Sequence, residues 1–141
     1  MSHYIDTSVL TAYYCPEPRS ASVQRLLGRV DGPAISPLVE VELHCAVARK
    51  VRAGDLDASD ARRVFDQFRL HLAQPLFRVV PLQAADYALA RDWIARLASP
   101  LRVLDALHLA AAAANGLRLV TADAHLARSA RLFGVPCRQV S

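Results

Sequence analysis

The chain has 141 residues, 53% hydrophobic and 21% charged, and its 17 Lys and Arg against 13 Asp and Glu give a net charge of +4. That composition supplies a sizeable core for one domain spanning residues 1–141 and excludes an intrinsically disordered chain. No apolar run reaches the roughly 18 residues of a membrane span, and three scattered cysteines (Cys15, Cys45, Cys137) without a Cys-x-x-Cys pair argue against a disulfide framework or a thiolate zinc site.

In chain order, residues 3–6 read as a first strand. Residues 8–14 make a short helix stopped near Pro16 and Pro18, and residues 20–29 a second helix. Residues 34–36 are a short apolar strand behind Gly32-Pro33. Residues 37–53 make a long helix, with Pro37 at a first helical position and Gly54 suited to the C-terminal cap. Residues 57–72 make another, with Asp57 and Ser59 as capping candidates. Then come a strand at 77–81, a helix at 84–98, a very apolar helix at 104–115 ended by Asn115-Gly116, a strand at 117–121, a helix at 124–133 ended by Gly134, and an edge strand at 136–140. Strands alternating with helices predict an α/β fold whose mainly parallel sheet is covered on both faces. Ligands bind such sheets at the carboxyl ends of the strands.

Two acidic residues fall where that rule directs attention, and two more sit on helices. Asp6 ends the first strand, and Asp123 lies just beyond the fourth. Asp105 sits in the first turn of a helix otherwise built of Leu and Ala, where an unpaired carboxylate is costly to bury. Glu42 lies in the long helix two residues from Glu40; the two project about 200° apart, so only one of them faces a site, and periodicity does not say which. Asp6 and Asp123 also suit helix capping, and Asp105 also suits the positive end of a helix dipole. Several carboxylates at one rim repel one another, and a divalent cation resolves the conflict. Oxygen donors without a Cys/His set point to Mg²⁺ or Mn²⁺ rather than zinc. Such a metal lowers the pKa of a bound water and neutralises charge on a phosphodiester.

Asp6, Glu42, Asp105 and Asp123, in this order within YIDTS, ISPLVEVEL, LDALHLA and LVTAD, resemble the PIN-domain family of metal-dependent ribonucleases, and most of all its short VapC-like toxins of type II toxin–antitoxin systems. Tyr4-Ile5-Asp6-Thr7-Ser8 resembles the family's opening strand with its first acid. Residues 35–43 (ISPLVEVEL) are similar to a second block in which an acid-Leu pair follows a small hydroxyl residue by six positions, a register that selects Glu42 over Glu40. Residues 104–110 (LDALHLA) and 119–123 (LVTAD) resemble the third and fourth blocks, with Thr121 as a supporting hydroxyl. The resemblance implies a five-stranded parallel sheet in a three-layer α/β/α sandwich, an endoribonuclease needing Mg²⁺ or Mn²⁺, a homodimer, and a cognate antitoxin that blocks the site. Asp6 and Asp105 are the expected direct metal ligands, with Glu42 and Asp123 completing the pocket directly or through water and Thr121 or Ser8 orienting a water or a carboxylate. The cytoplasm is the expected compartment, since the opening MSHYID lacks the basic-then-apolar pattern of a secretory signal.

Other residues point elsewhere. His108, three positions from Asp105 and on nearly the same helix face, reads as a donor to a carboxylate, an RNA contact or, most often for such a histidine, a satisfied core residue. Trp93 reads as core or interface, and Arg62, Arg63 and Arg69 as either an RNA-facing or a merely solvated helix face. Leu43, Val47, Val51, Leu56, Val64 and Phe68 supply an apolar helix pair, partly core and partly a candidate groove for an antitoxin segment. A dinucleotide-binding domain would need a Gly-rich turn after the first strand, and a receiver domain a Lys at a late strand end. Neither is present, since the one Lys is Lys50. An RNA-maturation nuclease of the same fold, or a non-catalytic binding module, are the alternative readings.

Overall fold

Five parallel strands form the centre of the computed structural model, which describes residues 1–141. They are β1 (His3–Ile5), β2 (Ala34–Ile35), β3 (Arg78–Val79), β4 (Arg118–Thr121) and β5 (Cys137–Gln139), in the order β3-β2-β1-β4-β5. Every neighbouring pair is parallel. Seven helices connect and cover them: α1 (Thr7–Tyr14), α2 (Ser20–Leu27), α3 (Pro37–Arg52), α4 (Ala58–Ala73), α5 (Ala84–Ala95), α6 (Val103–Ala114) and α7 (Ala124–Leu132). The result is the expected three-layer α/β/α sandwich.

The strands are short runs of apolar residues because helices bury both of their faces. Tyr4, Ile5, Ala34, Ile35, Leu119 and Val120 are all inaccessible to solvent. One cluster of 33 buried residues joins the sheet to α1, α3, α4 and α6. No helix is long and apolar enough to cross a membrane.

Strand order positions the site. The chain runs outward from β1 to β2 and β3, then returns to the other side of β1 as β4 and β5. Connections therefore leave the carboxyl ends of β1 and β4 in opposite directions and open a crevice between them. Asp6 follows β1 and its N–H still donates to the Val120 carbonyl of β4 at 3.0 Å, so it stands at the edge of that crevice.

Local chemistry shifts a few element ends from the sequence expectation. Asp6 caps α1 by accepting from the Thr7 N–H at 2.8 Å, so the helix starts at Thr7 rather than Ser8. Helix α5 stops at Ala95, because Leu97 takes a left-handed φ of 57°. Pro37 occupies the first turn of α3, where a missing N–H costs nothing, and Gly54 supplies φ 81° just past its end. The third strand keeps only Arg78 and Val79 of the expected five residues, the two that β2 pairs with.

Candidate active site

Asp6 is the anchor of the crevice. It is 6% exposed and accepts three hydrogen bonds: from the Thr7 N–H at 2.8 Å on Oδ1, and on Oδ2 from Ser8 Oγ at 2.7 Å and Thr121 Oγ1 at 2.8 Å. Thr121, at the end of β4, also accepts the Asp123 N–H at 3.0 Å. Ser8 Oγ accepts the Ala122 N–H at 3.1 Å, a second tie between the β1 and β4 ends. Asp123 caps α7, with Oδ1 taking the N–H groups of His125 and Leu126 at 2.8 and 3.4 Å. Capping and rim placement thus coincide in Asp6 and Asp123: each carboxylate is oriented by the helix that it starts.

Glu42 reaches the same rim from α3. Its Oε1 accepts from Thr7 Oγ1 at 2.7 Å and from His108 Nε2 in a very short contact. His108 Nε2 also stands 3.8 Å from Asp6 Oδ1. Glu40 makes no side-chain hydrogen bond; its carbonyl pairs with His44 on the far side of the helix turn. Asp105 is half-buried in the first turn of α6, three residues before His108, and faces the charges of Asp6, Asp123 and Glu42 without a hydrogen bond to any of them.

The electrostatics follow from this crowding. Burial raises the Asp105 carboxyl above the usual carboxylate range, and the charges of Asp6, Asp123 and Glu42 raise it further; His108 opposes them only in part. Burial alone would push the His108 imidazole down, but the Glu42 hydrogen bond and the surrounding carboxylates outweigh it and hold the proton. Burial likewise favours the neutral acid at Glu42, and the hydrogen bond and charge of His108, with the Thr7 hydroxyl, reverse it. No three His, Cys, Asp or Glu groups close into a ready-made cation cage. The donor set is nonetheless all oxygen at its mouth, and Asp105 carries a charge that its neighbours oppose. An open carboxylate rim of that kind fits a cation that keeps several of its waters, as Mg²⁺ does.

A family model, the PIN domain, matches residues 3–132. The chain belongs to the PIN-domain family. Among solved structures, this PIN domain is similar over the full length of both chains to VapBC2 from Rickettsia felis bound to a promoter DNA fragment, at 17% identity and a TM-score of 0.72. It is similar to FitAcB from Neisseria gonorrhoeae at 22% identity and a TM-score of 0.70, over 95% of this chain and 94% of that one. It is also similar to VapC20 from Mycobacterium tuberculosis, a sarcin-ricin loop cleaving toxin, at 20% identity and a TM-score of 0.67, over 84% and 87% of the two chains. At such identities the likeness is one of fold. No curated protein matches the sequence.

Away from the rim, this PIN domain carries two further surfaces. Ser22, Arg25 and Arg29 of the α2 region meet Arg138 and Gln139 of β5 in an open hollow of about 230 Å³. Gln139 pairs with Thr121, so the hollow begins one strand from the crevice. None of the three arginines has an acidic partner. At the amino ends of β1 and β4, His3 is held below the ordinary imidazole range by burial and then by Arg118, the N-terminus and Arg138. An apolar groove of about 350 Å³ lies between α3 and α4, lined by Val51, Ala58, Ala61 and Phe65 with Arg52 and Arg62 at its rim.

The sequence reading singled out Asp6, Glu42, Asp105, Asp123 and Thr121, and the fold gathers all five at one rim. Trp93 is core, stacked on Phe133. On the α4 face read as either RNA-facing or solvated, Arg63 and Arg69 pair with Asp60 and Asp66 of their own helix, and Arg62 has no ion pair. His108 is a buried, satisfied histidine, and it also donates to a carboxylate, that of Glu42, so both of its expected roles meet in one residue. Thr7, Tyr4 and Ser36 were not weighed as site residues. The hydroxyl directly after Asp6 is the one signal for Thr7, and the small hydroxyl six positions before Glu42 is the signal for Ser36; Tyr4 reaches the site only through contacts distant in sequence.

Proposed function

We propose that the chain is a divalent-metal-dependent endoribonuclease acting as the toxin of a toxin–antitoxin pair. The observation that carries this reading is the convergence of Asp6, Glu42, Asp105 and Asp123 on the β1–β4 crevice of a PIN domain. Asp6 and Asp105 would hold Mg²⁺ or Mn²⁺ directly, with Glu42 and Asp123 touching it directly or through water. When bound, the cation supplies Lewis-acid activation of a water and charge neutralisation at the scissile phosphodiester. The chain's own part is positional. Thr121 and Ser8 hold Asp6 in one rotamer, α7 fixes Asp123 through its cap, and the unpaired Arg25, Arg29 and Arg138 contact the RNA backbone beside the cut. An antitoxin partner is what the VapBC2 and FitAcB neighbours favour, and the α3–α4 groove takes an apolar helical segment of it. Exposed Leu97, Val103 and Leu104 give a homodimer an apolar surface to bury. The cytoplasm, where RNA and antitoxin are both at hand, is the proposed compartment.

The test is incubation of wild-type protein, Asp6→Asn and Asp105→Asn with total bacterial RNA in Mg²⁺, Mn²⁺ or EDTA, followed by mapping of new 5′ ends. The expected result is discrete cuts by the wild type alone, lost in EDTA, with circular dichroism showing all three proteins folded. Equal cleavage by either variant would remove that acid from the site. Absence of cuts under every metal would replace the nuclease with a binding module.

A further inference from the structure

Behind the acidic rim lies a row of buried polar groups that the reading above does not use. Ser36, Tyr4 and His108 are 0%, 0% and 1% exposed. The Tyr4 hydroxyl is hydrogen-bonded to Ser36 Oγ and to His108 Nδ1, each at 2.7 Å. The opposite ring nitrogen, Nε2, donates to Glu42 Oε1, the oxygen that also accepts from Thr7 Oγ1. Phenylalanine and leucine would fill the same core space without a polar group to satisfy, and burying a hydroxyl or imidazole is unfavourable without a partner. The row ends on a single atom, one oxygen of one carboxylate.

That convergence limits what Glu42 offers. Two donors hold Oε1, so the carboxylate does not turn to present both oxygens together. Oε2 has no protein partner, and it is not among the sealed, unsatisfied buried atoms. The distinction matters for cation choice. Calcium accepts two-oxygen carboxylate ligation in a loose shell of 6–8 oxygens, whereas Mg²⁺ demands near-octahedral geometry and keeps its waters. We propose that His108, aligned by Tyr4 and Ser36, is a positioning residue that restricts Glu42 to one cation-facing oxygen and so biases the rim toward Mg²⁺ and Mn²⁺ over Ca²⁺. This rests on reading the rim as a cation site.

The experiment is calorimetric titration of the full chain with Mg²⁺, Mn²⁺ and Ca²⁺ separately, for the wild type, His108→Leu, His108→Gln and Tyr4→Phe, each checked for folding by thermal melting. His108→Leu removes the donor to Glu42; His108→Gln retains an N–H at similar reach; Tyr4→Phe removes only the brace and keeps the ring. The expected result for His108→Leu is a Mg²⁺-to-Ca²⁺ affinity ratio lowered by about tenfold or more, the scale of effect for residues that orient metal ligands. Tyr4→Phe shifts the ratio less and in the same direction, and His108→Gln returns it toward wild type. Folded His108→Leu or Tyr4→Phe protein with the wild-type ratio overturns the inference while leaving the cation site intact. A wild type that binds none of the three ions overturns the reading of the rim and this inference with it.

Discussion

Thr121 shows how much one small side chain settles at this rim. Its hydroxyl donates to Asp6 and accepts from the Asp123 backbone, so two of the four acids are indexed to one atom at the end of β4. Asp105 has no such support, and the direction of its pKa shift fixes what its charge does. Burial and then Asp6 and Asp123 raise it, so the folded chain holds this proton to higher pH than the unfolded chain does. The stability that Asp105 contributes is therefore present below the unfolded value of about 3.9 and is lost as pH rises through the raised folded value. Asp105→Asn removes the penalty. In EDTA the variant is expected to melt above wild type at pH 7, with the gap closing as pH falls toward about 4. Added Mg²⁺ is expected to raise the wild-type melting temperature more than the variant's, because a ligand that binds only the folded state stabilises it. A gap that ignores pH would show that the charge of Asp105 is not what its neighbours oppose. Melting curves across pH, with and without the ion, make the comparison.

At the scale of elements, α6 carries the strongest coupling between packing and site. Its residues Ala106 to Ala112 are all buried, and Asp105 and His108 are its two polar groups, three apart and so on nearly one face. The apolar remainder clamps that face to the sheet. Leu109, inaccessible to solvent, is part of the clamp. Leu109→Ala is expected to cost about 2–5 kcal/mol, read as a lower urea midpoint with an unchanged slope. A cost under 1 kcal/mol would mean that α6 is held by its site contacts instead. Helix α6 and strand β4 were legible in the sequence because apolar runs broken only by Asp105 and His108 in the one and Arg118 in the other, set between Gly and Pro punctuation, have few other uses. Asp6 and Asp123 were legible as a rim because both fall at or just past strand ends, whereas Glu42 was chosen over Glu40 only through the resemblance to PIN domains. The row behind the rim was not legible: Tyr4, Ser36 and His108 lie 32 and 104 residues apart along the chain, and only strand order brings them together. Strand β3 was blurred for a related reason. Both its residues are exposed at the sheet edge, and pairing with β2, not side-chain pattern, defines its ends.

At the scale of the whole molecule, the charges are segregated. Four carboxylates gather in the crevice of a chain with net charge +4, so the excess of positive charge elsewhere is larger than the total suggests. Much of it is locally cancelled: Arg63, Arg69 and Arg91 sit beside Asp60, Asp66 and Asp92 on exposed helix faces. Arg25, Arg29 and Arg138 are not cancelled, and they line a hollow that begins one strand from the crevice. An RNA strand crossing an acidic pocket needs its flanking phosphates held by such groups, and arginine's fork matches phosphate oxygens. Binding is best read in the Asp6→Asn background, where the strand is expected to stay whole. There, changing Arg25, Arg29 and Arg138 together to Ala is expected to weaken RNA binding. The slope of log affinity against log salt should become shallower by about 2, since each phosphate contact on a single strand contributes about 0.7. Arg63→Ala with Arg69→Ala should change neither quantity, because those guanidinium groups already have partners. If the paired arginines prove to carry the salt dependence and the unpaired ones do not, RNA crosses the molecule over α4 rather than over α2 and β5.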